Sequence, residues 1–124
     1  MKNNDIKALI KIVQHSVEVK ETIEIFDLDF DSFKKNHVVK NAIAMCILQI
    51  GELSGKLTDE FKSTHTEIPW QYITATRNRL AHDYERADMQ ILWDAASISV
   101  PELKLYCENI VNKNKKINLT RCNL

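Results

Sequence analysis

Eight consecutive residues, Arg77, Asn78, Arg79, Leu80, Ala81, His82, Asp83 and Tyr84, concentrate two permanent cations, an amide, an imidazole and a phenol. A guanidinium presents a planar fork of donors that suits a phosphate, and histidine is the side chain whose ordinary pKa lets it exchange protons near neutrality. Together they could cleave RNA. A histidine can take the proton of a ribose 2′-hydroxyl, which then attacks the adjacent phosphorus, while an arginine stabilises the charge that builds on the phosphoryl oxygens. That chemistry needs no metal. Asn78 could hydrogen-bond the phosphate or fix the tautomer of His82, Arg79 could hold the RNA backbone, and Tyr84 could stack on a base or lend its hydroxyl.

Helix geometry sets a condition on this reading. At roughly 100° per residue, Arg77 and His82 point about 140° apart on a regular helix. They can share a site if the helix loosens at its end and His82 swings round. They can also share one if two copies of the chain meet so that both residues of each copy line one groove, since a two-fold interface doubles every group it contains. A structural role stands beside the catalytic one: arginine and histidine near a helix C-terminus satisfy free carbonyls and complement the macrodipole.

The elements that must position this stretch read as helices. Ile6, Ile10, Val13 and Val17 form one stripe and Leu9, Ile12, Val19 and Ile23 an adjoining one, predicting a first helix over about 5–24. His15 falls inside it and reads as a partly exposed helix histidine. Phe26–Phe30 alternates apolar residues with Asp27 and Asp29, which describes a capped, solvated turn better than a metal site, with Asp31 or Ser32 as the cap of a second helix. That helix is expected to be the longest, over about 33–61 with a bend near Asn36. Its seam is Val39, Ile43, Cys46, Ile50, Leu53 and Leu57. A parallel row, Val38, Ala42, Met45, Gln49, Glu52 and Lys56, turns polar towards its C-terminal end. Gln49 and Glu52 thus flank the core and either support a site on a neighbouring helix or form a solvated boundary. Pro69 suits the first turn of a third helix, anchored by Trp70 and Ile73, which carries Arg77–Tyr84. Asp88 is a candidate N-cap for a fourth, with Leu92, Ala95 and Ala96 facing the core, and Pro101 is expected to start a further run with Leu103, Tyr106, Cys107 and Ile110.

The whole chain constrains what such a site can belong to. At 124 residues it is expected to be one all-α domain over 1–113, an up-and-down bundle of four to five helices, followed by a flexible basic tail over 114–124. Its 17 basic and 17 acidic residues balance, which excludes a globally basic nucleic-acid or membrane binder, so any RNA contact must be local. Cys46, Cys107 and Cys122 are odd in number and widely spaced, with no CxxC and no nearby histidine pair, which argues against a zinc site or a disulfide framework and suits a reducing cytoplasm. No secretory signal or bilayer-spanning run is apparent.

The stretch also resembles a known family. Arg77, four residues, His82, any residue and Tyr84 match the motif of HEPN-domain ribonucleases in the HepT-like toxin branch. Ile50, Gly51 and Glu52 are similar to the Ile-Gly-Glu of that branch, and Ile68, Pro69 and Trp70 to its Ile-Pro-Trp helix start. Trp93 and Pro101-Glu102-Leu103 fall where the branch has a tryptophan and a Leu-Pro-x-Leu, with Val100 and Ser54 as slight departures. The likeness runs from Ile6 to about Ile110. It implies a homodimer with the motif of both protomers in an interface cleft, and a metal-independent endoribonuclease toxin acting on RNA, including tRNA, with no cofactor. It implies catalytic roles for Arg77 and His82 with Asn78 assisting. It also implies a partner antitoxin, a nucleotidyltransferase that attaches AMP to Tyr84. The alternative within the same family is a non-catalytic module that binds a nucleotide or a nucleotidyltransferase.

Overall fold

The computed structural model describes residues 2–122, with side chains as far as residue 115. All regular structure among them is helical, so the expected all-α bundle is what the chain forms. Helix α1 spans Asn3–Ile25, α2 Phe30–Lys35, α3 His37–Lys56, α4 Asp59–Thr64 and α5 Trp70–Asp83, which a 3₁₀ turn, Tyr84–Arg86, follows. Helix α6 covers Met89–Asp94, and a π-helical stretch, Ala95–Ser99, leads directly into α7, Val100–Cys122.

The second stripe of α1 is the more deeply buried: Leu9, Ile12 and Val19 lie in the core with Ala8, while Ile23 is half-buried, as are Ile6, Ile10, Val13 and Val17 of the first stripe. Helix α1 packs against α3 and α7, and α5 packs on the other side of α3. The seam of α3 enters the core at Val39, Ile43, Ile50 and Leu53, with Phe33, Phe61, Trp70, Leu92, Ala96 and Leu103 arriving from the other elements. Burying such a set is the main favourable term in folding.

The single long helix expected over about 33–61 is instead three helices. Asn36 interrupts it at one end, its side-chain oxygen accepting from the Val38 and Val39 N–H groups at 3.1 and 3.3 Å as the N-cap of α3. At the other end the buried Asp5 carboxylate accepts from the Thr58 N–H at 2.9 Å and from its hydroxyl at 2.7 Å. An uninterrupted helix would spend that N–H on the carbonyl four residues back. Thr58 in turn caps α4 through Phe61 N–H at 3.1 Å. The apolar spacing continues from Leu57 to Phe61 across the second break and gives no sign of it, whereas the capture of backbone donors by Asp5 and Thr58 ends the helix there.

Two further expectations are corrected. The cap of α2 is Asp29, in a capping box with Ser32, and neither Asp31 nor Ser32 takes that place. The two hydrogen bonds from Ser32 hold the Asp29 carboxyl below its ordinary range. The turn before it includes Asp27 at φ 47°, a left-handed position that aspartate tolerates, from which the Leu28 N–H closes back on the Ile23 carbonyl at 3.0 Å. Pro101 does not begin a new helix, since the chain is helical from Met89 through Cys122. The wider π turns just before it accommodate a ring that would clash with the carbonyl four residues earlier and the N–H that proline lacks. Asp88 caps α6 as expected, accepting from Gln90 and Ile91. The tail expected over 114–124 lies mostly outside the described side chains.

Candidate functional site

Helices α3 and α5 run antiparallel, Tyr84 just beyond α5 meeting Asn41 and Arg77 meeting Gly51 and Glu52. A Cβ built on Gly51 would sit 2.4 Å from Arg77 Cβ and 2.8 Å from Cγ, a distance no side chain can occupy. The absent side chain therefore lets the root of Arg77 lie directly on α3. From there the guanidinium reaches Glu52, the next residue, with Nη2 2.7 Å from Oε2. Its Nη1 donates to Asn78 Oδ1 at 3.0 Å. Its Nε is buried and has no hydrogen-bond partner among the described residues. Burying an unpaired donor costs on the order of 1–3 kcal/mol, so the close packing holds the head group at some expense. About a third of the Arg77 side chain remains exposed, 32%, which leaves part of the donor fork open to an anion.

His82 lies on the last turn of α5, exposed, with no side-chain hydrogen bond or ion pair among the described residues. The helix stays α-helical through Asp83, so a loosened end does not bring His82 round to Arg77. Asn78 connects them. It is hydrogen-bonded to Arg77 and lies four residues before His82, so it stands on the histidine's side of the helix. Arg79 is exposed and without an ion-pair partner among the described residues, on a face neighbouring His82.

Tyr84 opens the 3₁₀ turn and leans back on α3, where its hydroxyl donates to Asn41 Oδ1. The ring packs against the core, and Lys40 Nζ lies 5.9 Å from its centroid. Partial burial pushes the phenol above its ordinary pKa, so the hydroxyl stays protonated at neutrality. Of the two residues expected to flank the core, Glu52 meets the motif. Gln49 is exposed and donates to Met45 Sδ at 3.9 Å, with no hydrogen bond to the cluster. Lys40 and Asn41 were not singled out from the sequence. Asn41 could have been, because it lies about three turns before Glu52 on the same face of α3.

The cluster lies on the outside of α3 and α5, away from a cavity of about 300 Å³ lined by Ile47, Ile50, Tyr72, Ile73 and Leu103. No helix among the described residues is long and apolar enough to cross a membrane.

Comparison with known proteins places the chain in a family. The family described as "Ribonuclease HepT-like" matches residues 6–110, which includes α1, α3, α5 and the whole cluster. "Probable ribonuclease HepT" of Thermococcus cleftensis is 33% identical over 89 residues, covering 70% of this chain and 81% of that protein. "Putative RNase TTE0752" of Caldanaerobacter subterraneus subsp. tengcongensis is 31% identical over 88 residues, 71% of this chain and 79% of its own length. "Putative RNase MJ0125" of Methanocaldococcus jannaschii is 29% identical over 112 residues, 90% of this chain and 95% of its own length. No solved structure gave a significant match. With the family match covering residues 6–110, from α1 into α7 and including the cluster, the chain belongs to the HepT-like ribonuclease family.

Proposed function

We propose that this chain is the toxin of a toxin–antitoxin system, a metal-independent endoribonuclease that works as a homodimer. The observation that carries the reading is the preset guanidinium: Arg77 is held by Glu52 and Asn78 with part of its fork open, and Asn78 stands about one helical turn before His82, which is exposed and without a side-chain partner among the described residues. In the proposed reaction His82 accepts the proton of a ribose 2′-hydroxyl and the 2′-oxygen bonds to phosphorus. The bond from phosphorus to the 5′-oxygen breaks, and that oxygen takes a proton from a second His82 or from water. The products are a 2′,3′-cyclic phosphate and a 5′-hydroxyl. Arg77 faces the charge on the non-bridging oxygens, where a donor already in place contributes most. Asn78 aligns the phosphate or the imidazole, and Arg79 holds the RNA backbone.

The dimer is proposed because Arg77 and His82 diverge by about 140° on an unbroken helix, so one copy does not present both to a single phosphate. A strip beside the cluster supports it: Val38 and Met45 are 64% and 55% exposed on the row of α3 that includes Glu52, and a second copy would cover them. Tyr84 is proposed as the residue to which a nucleotidyltransferase antitoxin attaches AMP. An added phosphate there would repel RNA from the cluster.

The test is cleavage of RNA by the purified chain in EDTA. Expected are 2′,3′-cyclic phosphate ends, lost in Arg77→Ala and in His82→Ala. Cleavage that persists in both variants sinks the catalytic assignment. Growth arrest on expression without a partner, abolished by His82→Ala, separates a toxin from a module that only binds a nucleotide or a nucleotidyltransferase.

A further inference from the structure

The sequence shows no histidine pair near any cysteine, yet folding supplies Cys46 with other neighbours. His15 and Glu18 are three residues apart and share a face of α1, and that face packs against α3 at Cys46. His15 Nδ1 lies 3.4 Å from Glu18 Oε2, Cys46 Sγ donates to the same oxygen at 3.4 Å, and one ligand atom from each residue falls within 4.8 Å of the others. We propose that His15, Glu18 and Cys46 form a binding site for a divalent transition metal of borderline softness, with Zn²⁺ the fitting ion.

The donor set decides the class of metal. A thiolate and an imidazole disfavour Mg²⁺ and Ca²⁺, which take oxygen ligands, and suit Zn²⁺ with a carboxylate as third ligand and water as fourth. Ligand atoms around a tetrahedral Zn²⁺ with bonds of about 2.0–2.3 Å stand roughly 3.3–3.8 Å apart. Two of the three separations already meet that spacing, and a small rotation about the side-chain bonds closes the third. The three residues stand on helices whose neighbouring Ile12, Val19 and Ile43 are buried, so the backbone beneath them is firmly held. His15 and Glu18 are partly open, 28% and 57% exposed, which gives an ion a way in. Coordination displaces the thiol proton to solvent and leaves the metal bonded to sulfur, nitrogen and oxygen.

Such an ion would pin α1 to α3 without taking part in RNA cleavage. Cys46 precedes Glu52 by six residues, roughly 9 Å along the axis and about 120° apart around it, so the metal lies on a different face of α3 from the one that meets Arg77.

Titration of the full chain with Co²⁺ tests the site. Expected are one Co²⁺ per chain, a thiolate-to-metal charge-transfer band with tetrahedral d–d absorption, and displacement by Zn²⁺. Cys46→Ser loses the charge-transfer band. His15→Ala and Glu18→Gln weaken binding by roughly tenfold or more. Cys122→Ser keeps the full signal. Zn²⁺ raises the melting temperature of the parent chain and not that of Cys46→Ser, whose unchanged helical circular dichroism shows that it folds. No charge-transfer band in the parent chain, or the same band in Cys46→Ser, overturns the proposal. RNA cleavage in Cys46→Ser is expected at the parent rate, so the two proposals stand or fall separately.

Discussion

At the scale of the residue, the guanidinium of Arg77 is the best-defined group in the cluster, and Glu52 is what defines it. A charge-assisted hydrogen bond is worth about 1.5–3 kcal/mol, and 1.4 kcal/mol off a barrier is a tenfold change in rate. Glu52→Gln keeps the shape and removes the charge, so RNA cleavage is expected to fall by about tenfold or more in single-turnover assays, with unchanged helical circular dichroism showing that the variant folds. A rate equal to the parent's would show that Glu52 does not position Arg77. Arg77→Lys is expected to lose most of the activity, because an ammonium cannot hold the carboxylate, Asn78 and a phosphate with one planar fork. A second residue-scale effect concerns Tyr106, whose hydroxyl donates to Glu67 Oε2 at 2.6 Å. Burial and that carboxylate push the phenol from 10.0 up to about 12. Its folded pKa exceeds the unfolded one, so the stability it adds is fully present below pH 10 and is lost as pH rises through about 12. Denaturation followed over that window should show a loss that Tyr106→Phe flattens. The motif itself was legible in the sequence, as were Arg77, Asn78 and His82 as its polar members. The partner of Arg77 was not, because the row carrying Gln49 and Glu52 reads equally as a solvated boundary until α5 is laid against it.

At the scale of the element, two glycines of one helix separate packing from propensity. A Cβ at Gly51 would fall 2.4 Å from Arg77 Cβ, whereas one at Gly55 meets nothing within 4 Å. Gly51→Ala must part α3 from α5 and is expected to cost roughly 1–3 kcal/mol, with RNA cleavage falling further than stability alone explains. Gly55→Ala is expected to stabilise the fold by about 0.5–1 kcal/mol, since alanine loses less backbone entropy in a helix. Chemical denaturation of the pair checks both signs, and equal effects would mean that α5 does not rest on Gly51. The breaks around α3 belong to this scale too. Helical periodicity across 33–61 was readable and correct in its seam, but periodicity is indifferent to a backbone N–H being captured by Asn36 or Asp5.

At the scale of the whole molecule, the divergence of Arg77 and His82 puts assembly at the centre of the proposed mechanism. If each cleft joins Arg77 of one protomer to His82 of its partner, mixing the inactive Arg77→Ala and His82→Ala chains under dissociating conditions rebuilds one intact cleft in each mixed dimer. Random pairing then returns about a quarter of the parent activity, because half the dimers are mixed and each has one working cleft of two. No recovery, or a purified protein that is monomeric while active, would sink the composite cleft. Balanced charge belongs here as well. With 17 basic and 17 acidic residues, the proposed RNA contact is assigned to Arg77, Arg79 and Lys40 around the cluster, so binding is expected to weaken with salt and to remain modest in strength.

What the sequence determined by itself was local: the helical period of each stretch, the seam of α3, the cap at Asp88 and the eight-residue motif with its family likeness. Each depends on residues within a few turns of one another, and spacing along the chain encodes them. The tertiary structure alone decided that Gly51 meets Arg77, that Glu52 is its ion-pair partner, that Tyr84 reaches Asn41 and that Cys46 meets His15 and Glu18. These pairings join residues distant in sequence. They depend on how far one helix slides and turns against another, which is set by the fit of whole packed faces and not by the spacing of any single one.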